Sequence, residues 1–234
     1  MERIISLNTE NPFNLSYEVF FPKDYFEKEQ NLPLMIFLHG AGERGANIDD
    51  VNTYALPRLI VEGLELPAVV LCPQCPWEFV WDNVVKELKA LIDETVKNFN
   101  IQDDRICLTG ASMGAFGTWT MAMCYPTFFS AIAPVAGGGM SWRTPNLKTT
   151  PVLAVHGDID TVVPLVYSQL MVDAVEENGG DAKLIVLENF DHGRGIEYAY
   201  EHTELLSWIL AQRREDFAPL AEPFSEEFNE MIYG

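Results

Sequence analysis

The run Arg105-Ile-Cys-Leu-Thr-Gly110-Ala-Ser112-Met-Gly114-Ala-Phe-Gly-Thr-Trp119 constrains this chain more than any other segment. A short apolar run reads as a buried strand, and the compact apolar stretch Met113–Tyr125 that follows reads as a helix. A chain that passes so abruptly from strand to helix must turn sharply. Glycine at Gly110 and Gly114 removes the side chains that would collide across the turn, and Ser112 is left in a strained conformation with its hydroxyl exposed above the strand end. A buried strand feeding directly into a helix is part of a βαβ unit, so the segment predicts a mostly parallel sheet.

The rest of the chain has the same alternation. Leu34–Leu38, Ala68–Cys72, Arg105–Thr109, Ala131–Val135, Pro151–Val155 and Lys183–Leu187 are nearly continuous in hydrophobicity, as strands buried on both faces of a parallel sheet are. Between and after them, Trp81–Phe99, Met113–Tyr125, Leu165–Asn178 and Tyr198–Arg213 carry helical patterns. Arg3–Leu7 and Leu15–Phe21 have no helix between them and predict an antiparallel start to the sheet. The expectation is one α/β domain over residues 1–234, with a central sheet of about eight strands flanked by helices. Glu222, Glu226, Glu227 and Glu230 mark the last residues as an acidic surface extension.

Charge and cysteine usage narrow the function classes. With 35 acidic and 15 basic residues, the formal charge is −20. Such a surface repels nucleic acid and anionic lipid, so neither is an expected partner. No segment has the length of a membrane span. The N-terminal MERIISLNTENPFN has no apolar core of a signal peptide. The four cysteines, Cys72, Cys75, Cys107 and Cys124, do not form the pattern of a disulfide scaffold. The expected location is the cytoplasm. Cys72-Pro-Gln-Cys75 has metal-ligand spacing, but a zinc site needs further ligands, and neither a second cysteine pair nor a histidine cluster is present. No metal or cofactor is expected.

A nucleophilic Ser112 needs a base, and the base needs a carboxylate to orient it. Four histidines are available. His39 and His156 each precede a glycine at a strand end, where an imidazole satisfies loop backbone groups, and His202 sits mid-helix beside Glu201. His192 lies in the loop after the last strand, and loops at the carboxyl ends of parallel strands carry the chemistry of such sheets. The segment Val155-His-Gly-Asp158-Ile-Asp160 offers two acids, of which Asp158, beside Gly157, suits a turn former. An oxyanion site in this arrangement takes one N–H from the residue after the nucleophile, Met113, and one from the loop after the third strand, His39-Gly-Ala41-Gly42-Glu43-Arg44. Ala41 is the first choice there and Gly42 the alternative, while Glu43 and Arg44 brace the loop. Trp77, Trp81, Trp142 and Phe190 are candidate aromatic walls for a substrate.

LHGAGERG, CPQCPWEFVW, GASMGAFGTW and HGDIDTVVP together resemble the phospholipase/carboxylesterase and polyhydroxybutyrate-depolymerase-like branch of the α/β-hydrolase superfamily, over about Leu34 to Trp208. The resemblance implies an α/β-hydrolase fold and a serine esterase with Ser112 as nucleophile, Asp160 as acid and His192 as base. It also implies that the residue after His39-Gly40 supplies an oxyanion N–H. The connection Gly137–Thr150 is too short for a large cap. An open site with aromatic walls favours small esters of short or aryl acyl groups. The other readings are a peptidase using the same triad, and a binding protein that keeps the fold without catalysis.

Overall fold

The computed structural model describes residues 1–6, 15–28 and 30–214. Its strands are β1 (Glu2–Ser6), β2 (Ser16–Phe21), β3 (Leu32–Leu38), β4 (Val69–Gln74), β5 (Ile101–Ala111), β6 (Ala131–Val135), β7 (Val152–Gly157) and β8 (Ala182–Leu187). They form one eight-stranded sheet in the order β1-β2-β4-β3-β5-β6-β7-β8. β2 is antiparallel to both of its neighbours, and every other pairing is parallel. The antiparallel start and the parallel remainder both match the sequence reading, except that Leu7 lies outside the described residues. β3 sits between β4 and β5, so the strand order reverses beside it. In an open α/β sheet such a switch point leaves a crevice at the carboxyl ends of the strands.

The main helices are α1 (Tyr25–Lys28), α2 (Ala55–Val61), α3 (Val85–Asn98), α4 (Met113–Cys124), α5 (Val166–Glu177), α6 (His192–His202) and α7 (Leu205–Ala211). Along β3, alternate residues point to opposite faces. Leu34, Ile36 and Leu38 pack with the core under α3, α4 and α5, while Met35 and Phe37 join the core under α2, α6 and α7. Both faces are therefore apolar, which is why the strand reads as a continuous hydrophobic run. β8 departs from this: it is an edge strand with Lys183 and Val186 exposed. α4 is apolar on nearly every side because it is buried on nearly every side, with Trp119 and Met121 fully enclosed.

Several boundaries differ from the periodicity. The stretch expected as a helix over Trp81–Phe99 opens with a 3-10 turn, Trp81–Asn83, before α3 begins. The helix expected over Tyr198–Arg213 is broken between α6 and α7. Thr203 is extended there, and its hydroxyl donates to the Ala199 carbonyl and accepts from the Leu205 N–H, which ends one helix and starts the next. β7 continues past Val155 through His156 and Gly157. The β6–β7 connection holds a single 3-10 stretch, Ser141–Leu147, and no large cap is built there. Among the described residues no helix is long and apolar enough to cross a membrane. The acidic residues from Glu222 onward lie outside the described residues.

Candidate active site

Ser112 stands between β5 and α4 with φ 55° and ψ −118°. This is the left-handed side of backbone space, which a residue with a Cβ adopts only where its surroundings impose it. The imposing contacts are backbone ones. The Ser112 N–H donates to the Val135 carbonyl at 2.9 Å, and its own carbonyl accepts from Ala115 at 2.8 Å. A Cβ on Gly114 would lie 1.9 Å from the Leu38 oxygen, and one on Gly110 would lie 2.4 Å from the Gly114 oxygen. Neither position admits any other residue without the turn opening.

His192 comes from the far side of the sheet. It is the first residue of α6 rather than a loop residue, because Asp191 caps that helix by accepting from the Arg194 N–H at 2.9 Å. Its Nδ1 lies 2.6 Å from Asp160 Oδ2 and its Nε2 lies 2.9 Å from Ser112 Oγ. A carboxylate accepts only, so Nδ1 carries the proton, and Nε2 presents a lone pair to the hydroxyl. Asp160 is buried, and its other oxygen accepts from the N–H groups of Val162 and Val163 at 2.9 Å each. Burial alone would raise its pKa, but the bonds from His192, Val163 and Val162 outweigh that and hold it below the ordinary carboxylate value. Asp158 is exposed and instead closes a turn, accepting from the Asn189 N–H at 2.6 Å. A hydroxyl, an imidazole and a carboxylate in this series can move a proton from oxygen to nitrogen while the carboxylate steadies the resulting charge.

The two loops meet through Gly157. A Cβ there would lie 2.2 Å from the Phe190 carbonyl, and that carbonyl accepts from the Ile159 N–H at 3.2 Å. The glycine lets the turn that bears Asp160 lie flat against the segment that leads to His192.

The loop after β3 is braced as the sequence implied. The Arg44 guanidinium donates to the carbonyls of Ala41, Trp77 and Phe79 at 3.0, 3.3 and 3.4 Å. His39 accepts at Nε2 from the Cys75 N–H at 2.9 Å, which leaves its Nδ1 proton for the Gly40 carbonyl at 2.6 Å. Burial pushes its pKa down to about 4, so it stays neutral as a strut. Glu43, half-buried and with its pKa raised by that burial, faces His39 at 3.9 Å. Ala41 and Gly42 are exposed at the tip. The Met113 N–H is the first orphan donor of α4, directly behind Ser112.

The aromatic candidates separate. Trp81 is 1% exposed and donates from Nε1 to the His39 carbonyl at 3.0 Å, so it is a packing residue, not an open wall. A cavity of about 300 Å³, shared with Val80, Asp82, Met113 and Phe116, touches it. Trp77 is 63% exposed with the Arg44 guanidinium 5.1 Å from its ring centre. Phe190 is half-buried against Tyr198, with ring centres 4.6 Å apart. Trp142 is exposed on the 3-10 stretch after β6. Sequence reasoning overlooked Tyr54, whose hydroxyl donates to the Gly193 carbonyl at 2.6 Å, one residue beyond His192. A lone tyrosine before an apolar stretch carries no periodic or motif signal.

Residues 78–206 match the family model described as phospholipase/carboxylesterase. A bifunctional acetylxylan esterase/xylanase of Neocallimastix patriciarum is 27% identical over 138 residues, covering 57% of this chain and 20% of that protein. A poly(3-hydroxyalkanoate) depolymerase C of Paucimonas lemoignei is 43% identical over 82 residues, covering 31% of this chain and 19% of that one. The chain thus spans about a fifth of the length of these curated relatives. Among solved structures, a thermostable esterase superposes with a TM-score of 0.74 at 29% identity, over 91% of this chain and 63% of that one. The eight-stranded, mostly parallel sheet is an α/β-hydrolase sheet.

Proposed function

This chain belongs to the phospholipase/carboxylesterase family, and from that premise we propose that it is a serine esterase acting through Ser112, His192 and Asp160. The observation that carries the reading is the unbroken series Ser112 Oγ to His192 Nε2 at 2.9 Å and His192 Nδ1 to Asp160 Oδ2 at 2.6 Å. His192 takes the Ser112 proton as Oγ attacks the ester carbonyl, then returns it to the departing alcohol. An acyl-enzyme forms, and His192 activates water to release the acid. Asp160 holds the Nδ1–H tautomer and stabilises the imidazolium. The N–H groups of Ala41 and Met113 receive the oxyanion, with Gly42 as the alternative donor on the same loop tip.

The substrate we infer is a small-molecule ester with a short or aryl acyl group. Trp77 and Phe190, rather than the buried Trp81, are the aromatic surfaces that suit it, with Trp142 as a further candidate. The free thiols of Cys72, Cys75, Cys107 and Cys124 suit a reducing compartment such as the cytoplasm. A fluorophosphonate probe tests the nucleophile. Labelling of the wild type that disappears in Ser112→Ala is the expected result, and equal labelling of both rejects it. Matched p-nitrophenyl ester and anilide substrates then separate esterase from peptidase.

A further inference from the structure

The elbow, the base and the acid leave two buried imidazoles unused, His39, which braces the β3 loop, and His156. His156 has a fully enclosed side chain, and its Nε2 lies 3.3 Å from Asp160 Oδ2, the same oxygen that His192 engages from the other side. The Asp160 carboxylate is therefore flanked by two imidazoles. Nε2 of His156 also lies 2.8 Å from the Val163 carbonyl. Both neighbours accept only, so Nε2 must carry a proton. On its other side, His156 Nδ1 lies 2.7 Å from Ser168 Oγ, and that hydroxyl lies 2.7 Å from the Gly137 carbonyl. Gly137 in turn packs on the elbow: a Cβ there would lie 3.1 Å from the Ser112 carbonyl. His156 thus ties the acid loop to α5 and, through Ser168, to the turn that carries the nucleophile.

We propose that His156 is a positioning residue for the esterase site: its Nε2–H, donated to the Val163 carbonyl at 2.8 Å, is shared with Asp160 Oδ2 at 3.3 Å, so that the carboxylate faces His192 at a fixed angle and with reduced basicity. The proposal rests on the functional reading above and deepens it. The physical reason is that Asp160 is anchored by backbone N–H groups at Oδ1 only. Oδ2 needs a second donor if it is not to swing with the His192 ring. A hydrogen bond to a carboxylate also lowers its proton affinity and weakens its hold on an adjacent imidazolium. Burial lowers the pKa of His156, which disfavours a second cation beside His192.

The other charged groups around this pair are engaged elsewhere. Asp191 caps α6, Arg194 stacks over Phe190, and Asp158 holds Asn189. Glu197 pairs with Arg58 of α2 beside Tyr54, and Glu43 and Arg44 lie on the β3 loop. Among the described residues none of them hydrogen-bonds to Asp160 or to the His192 ring.

The test compares wild type with His156→Leu, His156→Gln and Ser168→Ala, using p-nitrophenyl acetate. His156→Leu should lower kcat by about ten- to hundredfold with little change in KM, as expected of a misaligned site. The acidic limb of its kcat/KM profile should move to higher pH by about half a unit or more, because Asp160 then holds the His192 imidazolium more tightly. His156→Gln, whose amide can place an N–H where Nε2–H lies, should restore the limb. Ser168→Ala should move it in the same direction as leucine, by less, and it carries the test if His156→Leu does not fold. An unchanged limb and kcat in folded variants overturns the proposal. NMR titration of the His192 ring reads the same shift without substrate. A wild type that hydrolyses no ester would therefore reject the esterase reading, while the NMR shift still decides the role of His156.

Discussion

Asp160→Asn is the most informative single substitution because the structure dictates how the amide must sit. Oδ1 accepts from two backbone N–H groups, Val162 and Val163, at 2.9 Å each. The amide oxygen of asparagine has to take that position, since an NH₂ there would face two donors. Its NH₂ then points at His192 Nδ1 and His156 Nε2, where the carboxylate accepted from the first at 2.6 Å and faced the second at 3.3 Å. Donor against donor is relieved if His192 gives up its Nδ1 proton and carries one on Nε2. That tautomer presents an N–H to Ser112, and a group already protonated cannot act as base. The corresponding change in a serine protease lowers kcat by about 10⁴-fold, which is about 5 kcal/mol of transition-state stabilisation at 1.36 kcal/mol per tenfold. A loss of about that size in kcat for p-nitrophenyl acetate is expected, with the fold preserved by circular dichroism. Asp158→Asn keeps an acceptor for the Asn189 N–H and should stay within a few-fold of wild type. A loss below tenfold for Asp160→Asn, or a larger loss for Asp158→Asn, would refute the reasoning.

Ser112→Ala should fold normally and hydrolyse esters at background rate, and substantial retained kcat would place the nucleophile elsewhere. Trp81→Phe should cost about 1–3 kcal/mol of stability through lost volume and the lost bond to His39, while kcat/KM changes only a few-fold; denaturant unfolding and steady-state kinetics read the two effects separately. The pKa of Asp160 is depressed in the folded state, so its contribution to stability is complete above the unfolded carboxylate value of about 3.9 and is lost as pH falls through the lower folded value. The difference in Tm between wild type and Asp160→Asn should accordingly shrink below about pH 4. Across p-nitrophenyl acetate, butyrate, octanoate and palmitate, with methyl ferulate alongside, kcat/KM should favour the short and aryl acyl groups. A maximum at palmitate would reject the open, capless site as the source of selectivity. Dialysis against EDTA should leave activity intact, and loss restored by a divalent ion would contradict the triad reading.

The local order of this molecule was largely legible in its residues. The strand-to-helix turn at Ser112 follows from Gly110 and Gly114, because a Cβ at either position would lie 2.4 or 1.9 Å from a backbone oxygen and hold the turn open. The parallel sheet follows from apolar runs without alternation, since strands buried on both faces cannot alternate. Periodicity was weaker at ends. Thr203 interrupts a good helical pattern with a side-chain bond that no apolar spacing reveals. The tertiary structure alone decided which tryptophan is open to solvent and which is core. Trp77 and Trp81 are four residues apart and chemically identical, yet one is 63% exposed and the other 1% exposed. It also decided the surroundings of His156. Read along the chain, that residue precedes a glycine at a strand end and satisfies a loop carbonyl, which it does. Its second neighbour, Asp160, is brought beside it by the turn at Gly157 and against His192 by the packing of α6. Hydrogen bonds within a few residues are encoded by the residues that make them. The two imidazoles that converge on one carboxylate from β7 and α6 do so only once the sheet has set the distance between its strand ends.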